Sequence, residues 1–425
     1  MAVLKFPDGF LWGAATSAHQ VEGGNRNDWT EWEKANAERL AKKAAAEFSH
    51  LKNWPEIRPQ AENPANYISG RACDHYNRFR EDFDIARGLG HNAHRFSIEW
   101  SRIEPEKGTF DEQAIEHYRQ VIRALRERGI EPFASLWHWT NPVWIAQQGG
   151  WENEKTLSDF ERFVSFVAKA LGAEVNFWIP LNEPTVFAGH GYVLGAFPPQ
   201  VKSYWRANRV LKNLENAHQR AYRVLHAAGS AETRVGSVFN FHFHTPHRPK
   251  FPLDILMARL LDYFRDLRPL RRTTDFQDFI GLNYYFRDTI RFVPWGGRFG
   301  PIDVRNPNQW VSDMGWDIYP DGLRHVLRMV GEVGKPIYVT ENGIADASDQ
   351  SRSRFIRDHI RAMAGAMQDG VDIRGYLHWS LLDNFEWDKG FWPRFGLVEI
   401  DYQTLERKIR QSAWDYKKII DQNAI

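Results

Sequence analysis

Apolar positions recur along this chain in two rhythms. Short apolar runs, such as Leu11 to Thr16 and Pro336-Ile337-Tyr338-Val339, read as buried strands. Between them lie longer stretches whose apolar residues return at helical spacing, as Tyr76, Phe79, Phe83 and Ala86 do behind a plausible cap at Asp74. Strands are expected over Leu11–Thr16, Asn92–Ile98, Pro132–Trp137, Phe177–Leu181, Val235–Phe241, Phe279–Tyr285, Pro336–Glu341 and Gly375–Leu381. Helices are expected over Asp74–Leu89, Asp111–Arg128, Leu157–Leu171, Tyr204–Ala228, Leu253–Leu267, Gly322–Val333, Arg352–Gln368 and Leu405–Ile420, several of them stopped by a glycine. A Gly/Pro-rich loop separates the sixth strand from the helix at Gly322.

Regular alternation of strand and helix predicts an α/β protein, a single (β/α)8 TIM barrel spanning 1–425. No repeat, low-complexity segment or linker divides it. A doubly wound open sheet would want an early glycine-rich phosphate turn between strand and helix, and none is present. A long insertion follows the first strand. Its first part, residues 31–48, is rich in Ala, Lys and Glu and reads as an exposed helix; residues 49–72, with several Pro, Asn and Gly, read as loop. A solvated rim helix is the simplest role for it. Shaping the entrance, or contact between copies in a homo-oligomer, are the alternatives.

Composition narrows the function. A formal net charge of +1 over 425 residues gives no electrostatic reason to expect nucleic acid or anionic lipid as a partner. One cysteine, Cys73, excludes an internal disulfide framework and fits a reducing compartment. No apolar run approaches a membrane span, and the N-terminal residues lack a signal-peptide core, so a cytoplasmic protein is expected. The aromatic count is high, with Trp 18, Tyr 14 and Phe 28. Trp suits surfaces apolar on one side and wet on the other, and sugar rings present that combination. Most of these residues are nonetheless expected to pack the core.

Barrel enzymes carry their chemistry at the C-terminal ends of the strands. Those ends hold Gln20, Arg95, His138-Trp139, Asn182-Glu183, Asn240 with His242 and His244, Asn283 with Tyr285, Glu341, and Trp379 followed by Glu386-Trp387. Two carboxylates, Glu183 and Glu341, each sit beside an Asn at the mouth of a buried strand, an expensive placement unless used. Taken singly, either Glu could be an ion-pair partner. Taken as a pair, facing each other from strands four and seven, they suit one proton donor and one nucleophile or general base. His242 and His244 fall on one strand face, as in metal sites. A barrel metallohydrolase would need further ligands at later strand ends; strands six and eight offer none, so these read as polar loop histidines, and no metal or cofactor is expected.

Five motifs in order resemble glycoside hydrolase family 1, the β-glucosidase family, over nearly the whole chain. They are Phe6-Pro7 through Phe10, Trp12-Gly13-Ala14-Ala15-Thr16 with Gln20 and Glu22-Gly23; Arg95-Phe96-Ser97-Ile98 with Trp100-Ser101-Arg102-Ile103; Asn182-Glu183-Pro184; Thr340-Glu341-Asn342-Gly343; and Trp379 to Trp387 followed by Arg394-Phe395-Gly396-Leu397. The resemblance implies retaining hydrolysis of terminal β-glucosides or short oligosaccharides, with no cofactor. Glu341 would be the nucleophile and Glu183 the acid/base. Arg95 and Tyr285 would hold Glu341 ionised, with Asn283 supporting the site. Asn182 would bond the sugar 2-hydroxyl. Gln20, His138, Trp139, Glu386 and Trp387 would grip the other hydroxyls over a Trp379 floor, and Trp316 would line the leaving-group side. A 6-phospho-β-glycosidase is an alternative, but such members replace the acidic sugar-binding residue with Ser, and Glu386 would repel phosphate. A silent sugar-binding barrel should have lost a carboxylate. The sequence departs from the family pattern at Pro180, at Trp137 to Pro142, and in a short 245–275 segment on the leaving-group side.

Overall fold

Eight parallel strands follow one another around a closed sheet: β1 Leu11–Ala15, β2 Ala93–Ser97, β3 Glu131–Ser135, β4 Phe177–Ile179, β5 in two pieces at Arg234–Val235 and Val238–Asn240, β6 Ile280–Asn283, β7 Ile337–Asn342 and β8 Ile373–Trp379. The structure, a computed structural model, describes residues 3–293, 300–303 and 310–425. Each strand pairs with its neighbour in sequence, and β1 closes against β8 with Leu11 opposite Gly375 and Ala15 opposite Trp379. The chain is a (β/α)8 barrel, as its periodicity predicts.

The break in β5 is where sequence and structure part. Arg234 and Val235 pair with β4, while Val238 to Asn240 pair with β6. Gly236 lies between; a Cβ there would stand 2.4 Å from the Phe279 carbonyl oxygen, so only glycine fits. β4 is cut short at Ile179 because Pro180 has no N–H for the ladder. The chain recovers by bonding Asn182 N to Trp137 O and Glu183 N to Val238 O, at 3.0 and 2.8 Å. That recovery turns Asn182 and Glu183 toward the mouth.

The barrel floor is aromatic. Phe133, Phe177, Phe279 and Tyr338 meet inside it, with centroids of Phe133 and Phe177 4.2 Å apart and of Phe279 and Tyr338 5.3 Å apart. Burying such rings contributes about 1.5–3 kcal/mol each. This fills the bottom and leaves the opening at the other end.

Four expectations are corrected. The insertion helix runs Asp28–Phe48, starts at an Asn27–Thr30 capping box, and buries Trp29, Trp32, Leu40 and Phe48 rather than standing solvated. Residues 49–72 are not all loop: they hold a helix, Trp54–Ala61, and a 3-10 turn, Pro64–Tyr67, because a proline in the first turn of each does not oppose helix. The last helix begins at Gln411; Arg407–Ile409 pairs antiparallel with Val398–Ile400 instead. The helix beginning near Leu253 is three pieces: α over Pro252–Leu261, a π turn over Asp262–Leu267, and α again over Arg268–Thr273. Beyond the barrel, Phe243–Pro246, Arg287–Val293 and Gly300–Asp303 form a small sheet over the mouth. Within the Gly/Pro-rich stretch after β6, residues 294–299 and 304–309 lie outside the described residues. No helix of the described residues is long and apolar enough to cross a membrane.

Candidate active site

The strand ends deliver their side chains into one cavity of about 350 Å³, a usual size for a small-molecule site. Gln20, His138, Trp139, Asn182, Glu183, Tyr285, Trp316, Glu341, Trp379, Glu386 and Trp387 all line it. Arg95 and Asn283 are fully buried beneath it and reach the two carboxylates.

β7 carries Glu341 opposite Asn283 of β6. The turn after it is pinned by Gly343, whose Cβ would fall 1.8 Å from the Trp379 carbonyl oxygen. Arg95 donates through Nη1 to Glu341 Oε1, and Tyr285 Oη donates to Oε2 at 2.5 Å. The same guanidinium donates to Asn182 Oδ1 at 2.6 Å and, through Nε, to Ser135 Oγ at 3.1 Å. Every arm of Arg95 is thus fixed. Burial pushes the Glu341 carboxyl up, while Arg95 and Tyr285 oppose that push.

Glu183 has the opposite environment. It sits in the left-handed region at φ 45, a strained position for a side chain of its size. Asn240 and Asn283 both donate to its Oε1, at 2.9 and 2.6 Å. Neutral amides replace the cation that Glu341 enjoys. Burial, and then the nearby Glu341 charge, push its carboxyl up to about 8. A proton on the pair therefore belongs on Glu183, and because Oε1 accepts twice it belongs on Oε2. Asn283, expected to support the nucleophile, helps hold the Glu341 carboxyl down and also donates to Glu183; Thr340 Oγ1 orients it by donating to its Oδ1 at 2.7 Å. Asn240 was a strand-tip residue in the sequence with no assigned role.

The remaining groups divide into spent and unspent. Gln20 has given both amide protons to the loop, one to Asn384 Oδ1 and one to the Phe385 carbonyl, at 2.9 and 2.8 Å. Its Oε1 takes the Ser17 hydroxyl at 2.6 Å. Gln20 therefore also ties the β8 loop to β1. Trp139 donates its indole N–H to Asn182 O at 3.1 Å, and Asn182 Nδ2 donates to His138 Nε2 at 3.1 Å. Burial, with Arg95 near, holds His138 neutral. Its ring lies nearly parallel to Trp379 and Trp387, at 6.1 and 6.0 Å. Glu386 Oε2, by contrast, is buried with no partner among the described residues. Burial and Asp388 push that carboxyl up to about 8, so at neutral pH it both donates and accepts. A protonated Glu386 also repels phosphate less than its bare charge suggests. Trp316 lies on the opposite rim, tilted against Phe286 at 4.8 Å.

The insertion reaches the site from behind. Trp29 packs on Trp387 at 4.6 Å, and His19 lies parallel to Trp387 at 5.4 Å. Glu33 holds that imidazole at 2.7 Å, with neither side chain exposed. Alanine-rich composition hid this, because the buried face rests on a few Trp residues.

His242 and His244 acquire a third neighbour, Asp288, from beyond β6 rather than from a strand tip. Their ligand atoms lie within 4.8 Å of one another. The ring nitrogens are engaged, however. His242 bonds Asp288 through Nδ1 at 2.6 Å and accepts from Arg265 Nη2 at 2.6 Å through Nε2. His244 bonds Asp262 through Nδ1 at 2.7 Å. A guanidinium takes the place of a metal cation here.

Taken together, fold and cavity define a barrel enzyme whose mouth holds one cation-stabilised and one amide-held carboxylate. Its membership follows from comparison with known proteins. The model described as Glycosyl hydrolase family 1 matches residues 3–266 and 264–425, and the chain belongs to that family. It is 33% identical to Beta-glucosidase A of Thermotoga maritima, covering 100% of both chains. It is 31% identical to a Beta-galactosidase of Sulfolobus acidocaldarius, covering 100% of this chain and 96% of the relative. In structure it is similar to a beta-glycosidase from Pyrococcus horikoshii, with TM-score 0.87 and 36% identity over 100% of this chain and 96% of that one. The protein is a β-glycosidase.

Proposed function

We propose that the enzyme is a retaining exo-β-glycosidase that hydrolyses terminal β-D-glucosides, with β-galactosides and β-fucosides as further substrates. The observation that carries this is the asymmetry of the carboxylate pair. Glu341 has a cation and a phenol; Glu183 has two amides and a carboxyl pushed up to about 8. A charged nucleophile and a protonated acid are what the first step requires.

In that step Glu183 Oε2 gives its proton to the glycosidic oxygen while Glu341 attacks the anomeric carbon. The leaving group departs as a neutral alcohol, and the negative charge of Glu341 is consumed in the ester bond. Glu183, having given up its proton, stays ionised because the loss of the Glu341 charge lowers its proton affinity. It then takes a proton from water as the water displaces Glu341, which restores both groups. Asn182 is positioned for the sugar 2-hydroxyl through its unspent Nδ2 hydrogen. The unpartnered Glu386 Oε2 supports a role in gripping a hydroxyl deeper in the pocket. His138, Trp139, Trp379 and Trp387 supply the aromatic walls, and Gln20 a single acceptor. A reducing, cytoplasmic location is part of the same reading.

Proton NMR of the first sugar released from an aryl β-glucoside tests the mechanism. Retention gives the β-anomer before mutarotation. Initial α-anomer would mean inversion and would remove the nucleophile role from Glu341.

A further inference from the structure

The leaving group departs on the side of the acid, so what lies beyond Glu183 meets it. Asn240, which holds Glu183, is followed two residues later by His242, and there the pocket wall becomes Arg265, His242 and Asp288. Arg265 is fixed on three sides. Nη2 donates to His242 Nε2 at 2.6 Å, Nη1 approaches His244 Nε2 at 3.4 Å, and Nη1 lies 3.5 Å from Asp288. Burial, and then Arg265, push the His242 imidazole down to about 3, so the ring stays neutral and its lone pair keeps facing the guanidinium. Arg265 Nε has no partner among the described residues, and the side chain stays 28% exposed. Across the same wall, Phe286 meets His242 edge-on at 4.5 Å and Trp316 at 4.8 Å. An aromatic surface and an immobilised donor fork therefore meet at one corner of the mouth.

That corner suits a ring with an apolar face and hydroxylated edges. It does not suit an acid. Arg265 already faces Asp288, and Lys389, the other cation lining the cavity, pairs with Glu47 and Asp388 at 2.5 and 3.1 Å. An alkyl chain would strand the guanidinium donors against apolar surface.

Resting on the β-glycosidase reading, we infer that Arg265, fixed by His242, His244 and Asp288, is a specificity residue that selects a neutral sugar as the leaving group. The natural substrates are then β-linked disaccharides or short oligosaccharides rather than alkyl or aryl glucosides.

The test compares Arg265→Ala and Arg265→Lys with the wild type on three substrates: cellobiose, cellobionic acid and 4-nitrophenyl β-glucoside. Wild-type turnover of the aryl glucoside reports on the glycosidase reading by itself. The ratio of cellobiose to aryl-glucoside kcat/KM reports on Arg265. Arg265→Ala should lower that ratio at least tenfold, mainly through KM for cellobiose, with Arg265→Lys in between. An unchanged ratio, or equal losses on both substrates, overturns the inference. So does a wild-type preference for cellobionic acid over cellobiose.

Discussion

At the scale of residues, two carboxylates in one cavity differ because of what each touches. Arg95 donates to Glu341, whereas two neutral amides donate to Glu183; reversing their partners would reverse which carboxyl keeps the proton. The pH dependence follows in sign. The active form has Glu183 protonated, so kcat/KM should fall as pH rises through about 8. Glu183→Gln should lose about 10²–10⁴-fold on substrates with poor leaving groups. On a 2,4-dinitrophenyl glucoside, whose leaving group needs no proton, that variant should lose the alkaline limb. A limb kept there belongs to Glu386, which titrates in the same range. Arg95→Met removes the cation opposing burial at Glu341, so the acidic limb should move to higher pH. A limb that stays in place would detach Arg95 from the ionisation of Glu341. Strand-tip positions placed Arg95 and Tyr285 at the mouth, and the family resemblance implied their pairing with Glu341. The choice of Asn283 was not legible: at the end of β6, opposite Glu341 of β7, it can reach either carboxylate, and side-chain direction is not written in spacing.

At the scale of elements, the insertion helix matters more than its composition suggests. Lys, Glu and Ala dominate its sequence, and averaged composition reports its solvated face. Its buried face is set by Trp29, Trp32 and Phe48, and Trp29 backs Trp387, which lines the cavity. Trp29→Ala should cost about 3–5 kcal/mol of stability in denaturant unfolding. It should also raise KM for glucosides more than it lowers kcat, since the carboxylates are untouched. Equal loss in both parameters would mean that the helix supports the whole mouth rather than Trp387. The broken β5 was illegible for a related reason. Gly236 looks like any weak strand residue until the Phe279 backbone lies against it.

At the scale of the molecule, the floor and mouth of the barrel have separate duties. The Phe133, Phe177, Phe279 and Tyr338 cluster closes one end, and the carboxylates occupy the other. Phe133→Ala should cost about 3–5 kcal/mol of stability while kcat stays near the wild-type value well below the unfolding temperature. A kcat loss as large as that of Glu183→Gln would show that floor packing sets the site geometry. Architecture was the most legible level, because eight alternations of period leave few arrangements; loops over the mouth were the least, because their pairings join segments far apart in sequence. The central claim is that Glu341 attacks the anomeric carbon and Glu183 handles the proton. Its most direct test is the product formed by Glu341→Gly from 2,4-dinitrophenyl β-glucoside in the presence of azide. With the nucleophile removed and its cavity open, azide should restore turnover and give α-glucosyl azide by a single displacement. Near-normal hydrolysis without azide, or β-glucosyl azide as the product, would contradict the assignment.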